Sequence, residues 1–191
     1  MLLSAITLLG CTASAEPTIM TDEKSHSCTL ALDFSKDTEI SQWWTLLDGV
    51  MGGRSSGVRF AEDNHMVFQG RLNTNGGGFS SIRRSLKPGD MAGAQTLRLR
   101  VKQDDRDYKL TFRTSERFRG RSVSYQRAIP SSRSGDWEDI TIPLENFTTS
   151  IFGRYVPAAE LDPTDIREMG IMLADGIDGD FRLEVAEIVC G

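Results

Sequence analysis

Strict alternation of apolar and polar residues constrains the fold of this chain more than any other feature. The segments 96–101 (TLRLRV), 108–114 (YKLTFRT) and 181–185 (FRLEV) all alternate with a period of two. This period is typical of strands that have one face on a core and the other in water. Further apolar segments that favour strands lie at 28–34, 65–72, 79–84, 122–129, 137–142 and 168–173.

Turn sequences such as KPGD (87–90) and SSRSGD (131–136) separate these segments. About ten strands at this spacing predict an all-β fold, either an antiparallel β-sandwich or a barrel. Helical signals are few, and the segment VPAAELDPTDI predicts one short turn that Pro163 would end. A chain of 191 residues suits one domain, which we place at residues 28–191.

The N-terminal residues 1–15 have the apolar run and small residues of an export leader. Two processing sites are open: LLGC resembles a lipobox with Cys11 as the lipidated residue, and Ala13–Ala15 fits ordinary cleavage before Glu16. No Lys or Arg precedes Lys24, so the usual basic start of a leader is missing, and an uncleaved apolar leader is the alternative. Residues 16–27 are polar and predict a linker. Export would place the protein in the cell envelope or periplasm, and an uncleaved chain in the cytoplasm.

The two other cysteines lie at opposite ends of the predicted domain. Cys28 begins the first strand pattern and Cys190 ends the last one. A bridge between them would stabilise the fold by about 4–5 kcal/mol in the chain-entropy model. Two buried free thiols are the alternative, expected in a reducing compartment.

Composition and motifs argue against several functions. A net charge of −5 gives no general attraction to nucleic acid, and membrane contact is expected only through a lipid on Cys11. Neither histidine, His26 nor His65, lies in a motif with a nucleophile or a metal ligand, so we predict no enzyme and no cofactor. The acidic residues of DGIDGD are a weak Ca²⁺ candidate, and a simple turn is favoured. These residues are Asp175, Asp178 and Asp180.

Arginine and tryptophan provide two weaker signals of a binding surface. In ERFRGRS the arginines at 117, 119 and 121 would share one face of an extended strand. With Arg113 and Arg127 they form a basic stripe that could hold an anion or an acidic partner. A solvated strand face is the simpler interpretation. The adjacent Trp43 and Trp44 must point to opposite faces of a strand, so one should be core and the other could be an exposed platform. Trp137 is expected in the core.

Two glycine-rich segments, LLDGVMGGRSSG (46–57) and NTNGGGFSS (73–81), concentrate glycine in nearby places. Glycine is required where the backbone takes a positive φ or where another chain comes close. One hypothesis brings both segments together at an edge of the sandwich as a binding surface, with Asp48 orienting backbone amides and Arg83 at the border. The alternative is that the glycines only permit sharp bends, with Met51 and Phe79 buried beneath them.

These segments, with WEDITIPLENF (137–147) and the last two strand patterns, resemble the complex I intermediate-associated protein 30 family over residues 30–189. The resemblance implies a galactose-binding-domain-like jelly roll with adjacent terminal strands, an arrangement that would allow the Cys28–Cys190 bridge. It also implies a non-catalytic assembly factor that binds a protein client such as a respiratory complex. A carbohydrate-binding module of the same sandwich fold is the alternative. The binding residues we predict are Trp44, Asp48, Met51, Gly52, Gly53, Ser55, Gly77, Gly78, Phe79 and Arg83.

Overall fold

The structure is a computed structural model that describes residues 28–191. The predicted leader with Cys11 and the predicted linker therefore lie outside the described residues. Residues 28–191 form fifteen strands and one α-helix, α1 (Asp37–Ile40). The strands are β1 (Ala31–Asp33), β2 (Trp43–Leu47), β3 (Ser56–Glu62), β4 (His65–Leu72), β5 (Ser80–Ser85), β6 (Thr96–Gln103), β7 (Tyr108–Arg113), β8 (Arg117–Phe118), β9 (Arg121–Ser122), β10 (Ser124–Ala128), β11 (Trp137–Pro143), β12 (Thr148–Ile151), β13 (Arg154–Tyr155), β14 (Glu168–Leu173) and β15 (Gly179–Cys190).

Two antiparallel sheets form the body of the fold. The first has the order β11-β6-β15-β4-β3, with β1 also paired to β15, and the second has the order β13-β12-β10-β7-β14-β5-β2. The strands β8 and β9 form a separate hairpin. The predicted antiparallel β-sandwich is confirmed. The strands outnumber the predicted ten because no strand was predicted at β2 or β3 and because several other strands have only two to four residues.

The core lies between the sheets and takes the apolar face of each alternating strand. Leu97, Leu99 and Val101 of β6 have no exposed surface, and Tyr108 and Leu110 of β7 have none either. The opposite faces of these strands carry charged side chains, as the period of two predicts.

A disulfide joins Cys28 to Cys190 across 162 residues of sequence, with Cα atoms 6.0 Å apart. It reinforces the pairing of β1 with β15, in which Ala31 lies opposite Val189. The terminal strands are thus adjacent, as the family resemblance implied. Within residues 28–191 no helix is both long and apolar enough to cross a membrane.

Three local predictions are wrong. Pro163 begins a 3-10 helix (Pro163–Asp165) instead of ending a turn, because a first-turn residue needs no N–H donor. The arginines at 117, 119 and 121 do not share a strand face, since a tight turn at residues 119–120 separates β8 from β9. Trp137 is only half-buried, because β11 is an edge strand and the ring lies beside His65 and Arg100.

Candidate functional site on the seven-stranded sheet

The side chain of Asp48 joins the two glycine-rich segments. Its carboxylate accepts hydrogen bonds from the Ser55 amide at 3.0 Å and the Ser55 hydroxyl at 2.6 Å. It also accepts hydrogen bonds from the amides of Gly78 at 2.6 Å and Phe79 at 3.3 Å. Asp48 has no exposed surface, and no Lys or Arg of the described residues pairs with it. These four hydrogen-bond donors therefore stabilise the negative charge of its carboxylate.

The close approach to Asp48 explains two of the glycines. A Cβ atom on Gly53 would lie 2.2 Å from the Asp48 Cγ, and one on Gly77 would lie 2.4 Å from Oδ2. Gly52 and Gly78 have φ values of +89° and +118°, which other residues rarely adopt. These glycines therefore shape the backbone around a buried carboxylate.

Hydrogen bonding also sets the protonation state of Asp48. Burial raises the pKa of this carboxyl, but the hydrogen bonds from the Ser55 hydroxyl and from the amides of Gly78, Ser55 and Phe79 outweigh it, so its pKa lies below the ordinary value. Asp48 is consequently ionised at neutral pH. Because four donors surround this carboxylate and it has no access to solvent, it has no means of transferring a proton to a ligand.

The Asp48 arrangement projects apolar side chains outward. A 3-10 helix (Asp48–Met51) carries Val50 and Met51 into solvent with 73% and 51% of their surface exposed, and Phe79 is half-buried. The alternative in which Met51 is buried beneath the glycines is wrong, because the helix ends in the left-handed Gly52 and turns Met51 away from the core.

Beside these residues lies a groove of about 400 Å³ on the outer face of the seven-stranded sheet. It crosses six strands, with the glycine-rich segments at one end and the turn between β12 and β13 at the other. We call this surface the groove. The residues that line it are Leu46, Val50, Met51, Gly77, Gly78, Phe79, Arg83, Lys109, Arg113, Ser124, Gln126, Ser150, Phe152, Gly153, Met172 and Ala174.

Cross-strand register places a glycine beside the central cation of the groove. Arg83 on β5 lies opposite Gly170 on β14, which lies opposite Thr111 on β7. A Cβ atom on Gly170 would be 2.8 Å from the Thr111 Oγ1 and 3.2 Å from the Arg83 Cγ. Gly170 therefore leaves the space that the Arg83 and Thr111 side chains occupy on this face.

Arg83 is held by an ion pair at 2.7 Å with Glu168, and the residue is 8% exposed. Burial, and then the charge of nearby Arg113, lower the pKa of Arg83 from its usual value, and Glu168 opposes this shift. An arginine stays protonated at neutral pH even so. The lining thus contains three cations, Arg83, Lys109 and Arg113, and no acidic residue among the described residues.

The sequence-predicted residues fall into two groups. Met51, Gly77, Gly78, Phe79 and Arg83 line the groove. Trp44, Asp48, Gly52, Gly53 and Ser55 do not, and Asp48 and Ser55 support the glycine-rich segments from within. Trp43 is the core tryptophan, at 1% exposure, and Trp44 is 38% exposed on the outer face opposite Arg83.

Sequence reasoning missed the far half of the groove, including Lys109, Gln126 and Phe152, and it placed Arg113 in a basic stripe with the arginines of ERFRGRS. The alternation of YKLTFRT indicated that Lys109 and Arg113 point away from the core, so a signal for these two was present. Nothing in the sequence indicated that β10 and β12 lie beside them.

The weak Ca²⁺ candidate is not assembled. Asp175 pairs with Arg106 at 2.7 Å, Asp178 accepts the Thr74 amide at 2.6 Å, and Asp180 pairs with Arg71 at 2.9 Å. In the part of the chain that the structure describes, no group of three or more His, Cys, Asp or Glu side chains is placed to hold a metal ion.

Comparison with known families matches residues 32–185 to Complex I intermediate-associated protein 30 (CIA30). The chain belongs to this family. The match includes both glycine-rich segments and all of the strands that line the groove, so the groove is part of the CIA30 domain. The family predicted from the two motifs is confirmed.

Solved structures with a similar fold include carbohydrate-binding modules. The family 11 module from Clostridium thermocellum in complex with a β-1,3-1,4-mixed-linked tetrasaccharide is 18% identical, with a TM-score of 0.58 over 81% of this chain and 92% of that chain. A family 28 module specific for non-crystalline cellulose is 10% identical, with a TM-score of 0.50 over 86% of this chain and 95% of that chain. At these identities the likeness shows the β-sandwich fold alone.

Proposed function

We propose that this CIA30 domain is a non-catalytic binding protein that holds a segment of a partner protein in the groove, in the manner of an assembly factor. The observation that carries the proposal is the lining, which combines three cations with exposed aliphatic side chains and contains no acidic residue. Membership of a family named for association with complex I intermediates supports a protein partner.

The chemistry of the groove supports binding over catalysis. Among the described residues its lining holds no histidine, cysteine or carboxylate that could act as a base beside Ser124 or Ser150. The Ser150 hydroxyl accepts a hydrogen bond from Gln126 at 2.9 Å, and Glu168 is engaged by Arg83 and Arg113. A nucleophile without a base is a poor catalyst, whereas the same groups suit hydrogen bonding to a ligand.

The lining also specifies the chemistry of the partner segment. The positive charges of Arg83, Lys109 and Arg113 favour carboxylates in the partner. An extended partner segment that crosses the sheet would pass each of these three side chains. Val50 and Met51 at the rim offer flexible apolar contacts, and methionine adapts to varied partner surfaces. The best fit is an extended segment in which acidic and apolar side chains alternate.

A short fluorescent peptide in which Glu and Leu alternate tests this proposal by anisotropy. We expect saturable binding that Lys109→Glu weakens about tenfold, because the substitution reverses a groove charge that has no ion-pair partner among the described residues. Lys87→Glu is the matched control, since Lys87 is exposed and lies outside the groove. Equal weakening by both variants, or equal binding of a Lys-Leu peptide, would contradict the proposal.

Glycan binding is the second candidate, and Trp44 favours it. This side chain is exposed on the same outer face as the groove, where a ring could stack on a sugar. Titration with a mixed-linked β-glucan oligosaccharide, followed by tryptophan fluorescence, tests it. A saturable change that Trp44→Ala removes would support a glycan, and no change at millimolar concentration would leave the protein partner as the function.

We also propose that the protein acts in the cell envelope. The Cys28–Cys190 bridge supports this location, because disulfides persist mainly in oxidising compartments. Intact mass of protein isolated from native membrane and soluble fractions tests it. A chain that begins at a lipidated Cys11 or at Glu16, with the bridge formed, is expected, and an uncleaved chain with free thiols would place the protein in the cytoplasm.

A further inference from the structure

Two neighbouring hairpins end in tight turns that begin with a bulky residue. In the β8–β9 hairpin, Phe118 lies opposite Arg121, and the turn consists of Arg119 (φ +51°) and Gly120 (φ +78°). In the β12–β13 hairpin, Ile151 lies opposite Arg154, and the turn consists of Phe152 (φ +49°) and Gly153 (φ +73°). Both are two-residue turns with positive φ at each position.

A third hairpin in the same chain shows the usual choice for such a turn. The β3–β4 turn uses Asp63 (φ +47°) and Asn64 (φ +62°), whose short polar side chains tolerate the left-handed region. Arginine and phenylalanine do not share this tolerance, and a bulky residue at positive φ is an outlier. Their presence at two adjacent tips indicates a use for the side chains themselves.

The tips of the two hairpins are in contact and expose both arginine and aromatic side chains. The Arg121 guanidinium lies 5.5 Å from the centre of the Phe152 ring. Phe152 and Tyr155 are 70% and 73% exposed, among the most exposed large apolar side chains of the described residues. We call this region the tip surface. It consists of Arg117, Arg119, Arg121, Phe152, Arg154 and Tyr155.

The arginines of the tip surface have no acidic partners. Within residues 28–191, no carboxylate lies within ion-pair distance of these four guanidinium groups, although the chain as a whole has a net charge of −5. Most other arginines of the described residues are paired, as Arg106 is with Asp175. Four unpaired cations on two hairpins that meet at Arg121 and Phe152 leave a local positive charge that complements a negatively charged partner.

We propose that the tip surface is a docking site for an acidic segment of the partner protein, positioned so that the segment continues into the groove. The proposal rests on the proposed function, because Phe152 belongs both to the tip surface and to the groove lining. Arginine and aromatic side chains are enriched at the centres of protein interfaces, and the guanidinium fork matches a carboxylate. The continuity with the groove favours a protein chain over a flat anionic membrane, which would meet the tips alone.

The double variant Arg119→Asn with Phe152→Asn tests the proposal, with the Glu-Leu peptide as the probe. Asparagine suits the first position of these turns, so we expect an unchanged or higher melting temperature together with at least about tenfold weaker peptide binding. The matched control is Lys87→Asn with Val58→Asn, which removes the same charge and an exposed apolar side chain away from both surfaces. We expect this control to bind the peptide as the wild type does.

The outcomes separate this proposal from the proposed function. If the double tip variant binds normally while Lys109→Glu binds weakly, the docking site is overturned and the groove stands. If only the tip variant binds weakly, the docking site stands and the groove proposal fails. Absence of peptide binding by the wild type at millimolar concentration overturns both. Tip-dependent binding to phosphatidylserine vesicles without peptide binding overturns the docking site in favour of a membrane.

Discussion

At the scale of single residues, the position of Asp48 determines which glycines of the motif are replaceable. Gly53 and Gly77 lie against the Asp48 carboxyl, where there is no room for a methyl group. Gly49 belongs to the same motif, yet a Cβ atom there would meet nothing within 4 Å. The segment is rich in glycine for more than one reason, and only the structure distinguishes them.

We predict that Gly53→Ala lowers the free energy of unfolding by about 1–3 kcal/mol, because the added methyl group must displace the buried carboxylate and its hydrogen bonds. Gly49→Ala is the control and should change stability by less than about 0.5 kcal/mol. Urea denaturation of both variants checks the prediction. Equal stability of the two variants would mean that Asp48 moves without cost.

The second residue-scale prediction concerns pH. Because the pKa of Asp48 is lower in the folded state than in the unfolded chain, its contribution to stability is present above about pH 4 and is lost as pH falls through the folded pKa. We expect Asp48→Asn to cost about 2 kcal/mol at neutral pH, since hydrogen bonds to a charge are lost. This difference from the wild type should narrow on acidification.

Urea denaturation at a series of pH values measures this difference, with Asp105→Asn as the control. Asp105 is exposed, and its substitution should shift stability by less than about 0.5 kcal/mol at every pH. A cost for Asp48→Asn that stays constant below pH 4 would show that the charge of Asp48 is not the stabilising feature.

At the scale of elements, one arginine organises the loop between β14 and β15. Arg106 pairs with both Asp175 oxygens, at 2.7 and 2.9 Å, and also donates to the backbone oxygens of Ile177, Gly179 and Asp180. The side chains of Arg106 and Asp175 are 10% and 2% exposed. This buried bidentate ion pair therefore fixes the loop whose acidic residues were considered as a Ca²⁺ site from the sequence.

We predict that Arg106→Ala destabilises the protein by about 3 kcal/mol, because it leaves the Asp175 charge buried and unpaired. Hydrogen exchange at residues 174–180 should accelerate. Arg71→Ala is the control, since the Arg71–Asp180 pair is 67% and 81% exposed and is worth less than about 1 kcal/mol. Similar effects of the two substitutions would contradict this assignment.

The elements that were predictable from the sequence are those with long alternating patterns. In β6 and β7 the apolar residues alternate with polar ones, so the sequence predicted both the strand and the face of it that is buried. The short strands β8, β9, β12 and β13 contain too few residues to show a period, and their existence depends on turns with positive φ at Arg119 and Phe152. Those residues carry no turn preference of their own, so this part of the fold was missed. The strands β2 and β3, on either side of the first glycine-rich turn, were not predicted either.

At the scale of the whole molecule, the groove depends on strand order, which composition and period do not encode. The motif residues Phe79 and Arg83 were identified from the sequence. Arg113 and Gln126 lie on the same surface as Phe79 and Arg83 only because β14 and β7 lie between β5 and β10. Half of the candidate site was therefore predictable from a motif, and the other half required the topology.

We predict that Cys28→Ser with Cys190→Ser lowers the free energy of unfolding by about 3–5 kcal/mol, because the bridge closes a long loop in the unfolded chain. Denaturation of the oxidised wild type, the reduced wild type and the double variant checks this. The reduced protein should match the variant. A variant as stable as the oxidised protein would show that the pairing of β1 with β15 alone secures the two ends.

The position of β15 determines when this domain can be completed during its synthesis. β15 lies between β4 and β6 and also pairs with β1. Each of these three earlier strands therefore lacks one pairing partner until β15, the last strand of the described residues, has been synthesised. Until residues 179–190 leave the ribosome, β4 and β6 have unpaired edges, which readily associate with other chains. The six-stranded sheet can therefore form only after residues 179–190 have been synthesised, and we expect nascent chains stalled before residue 179 to aggregate.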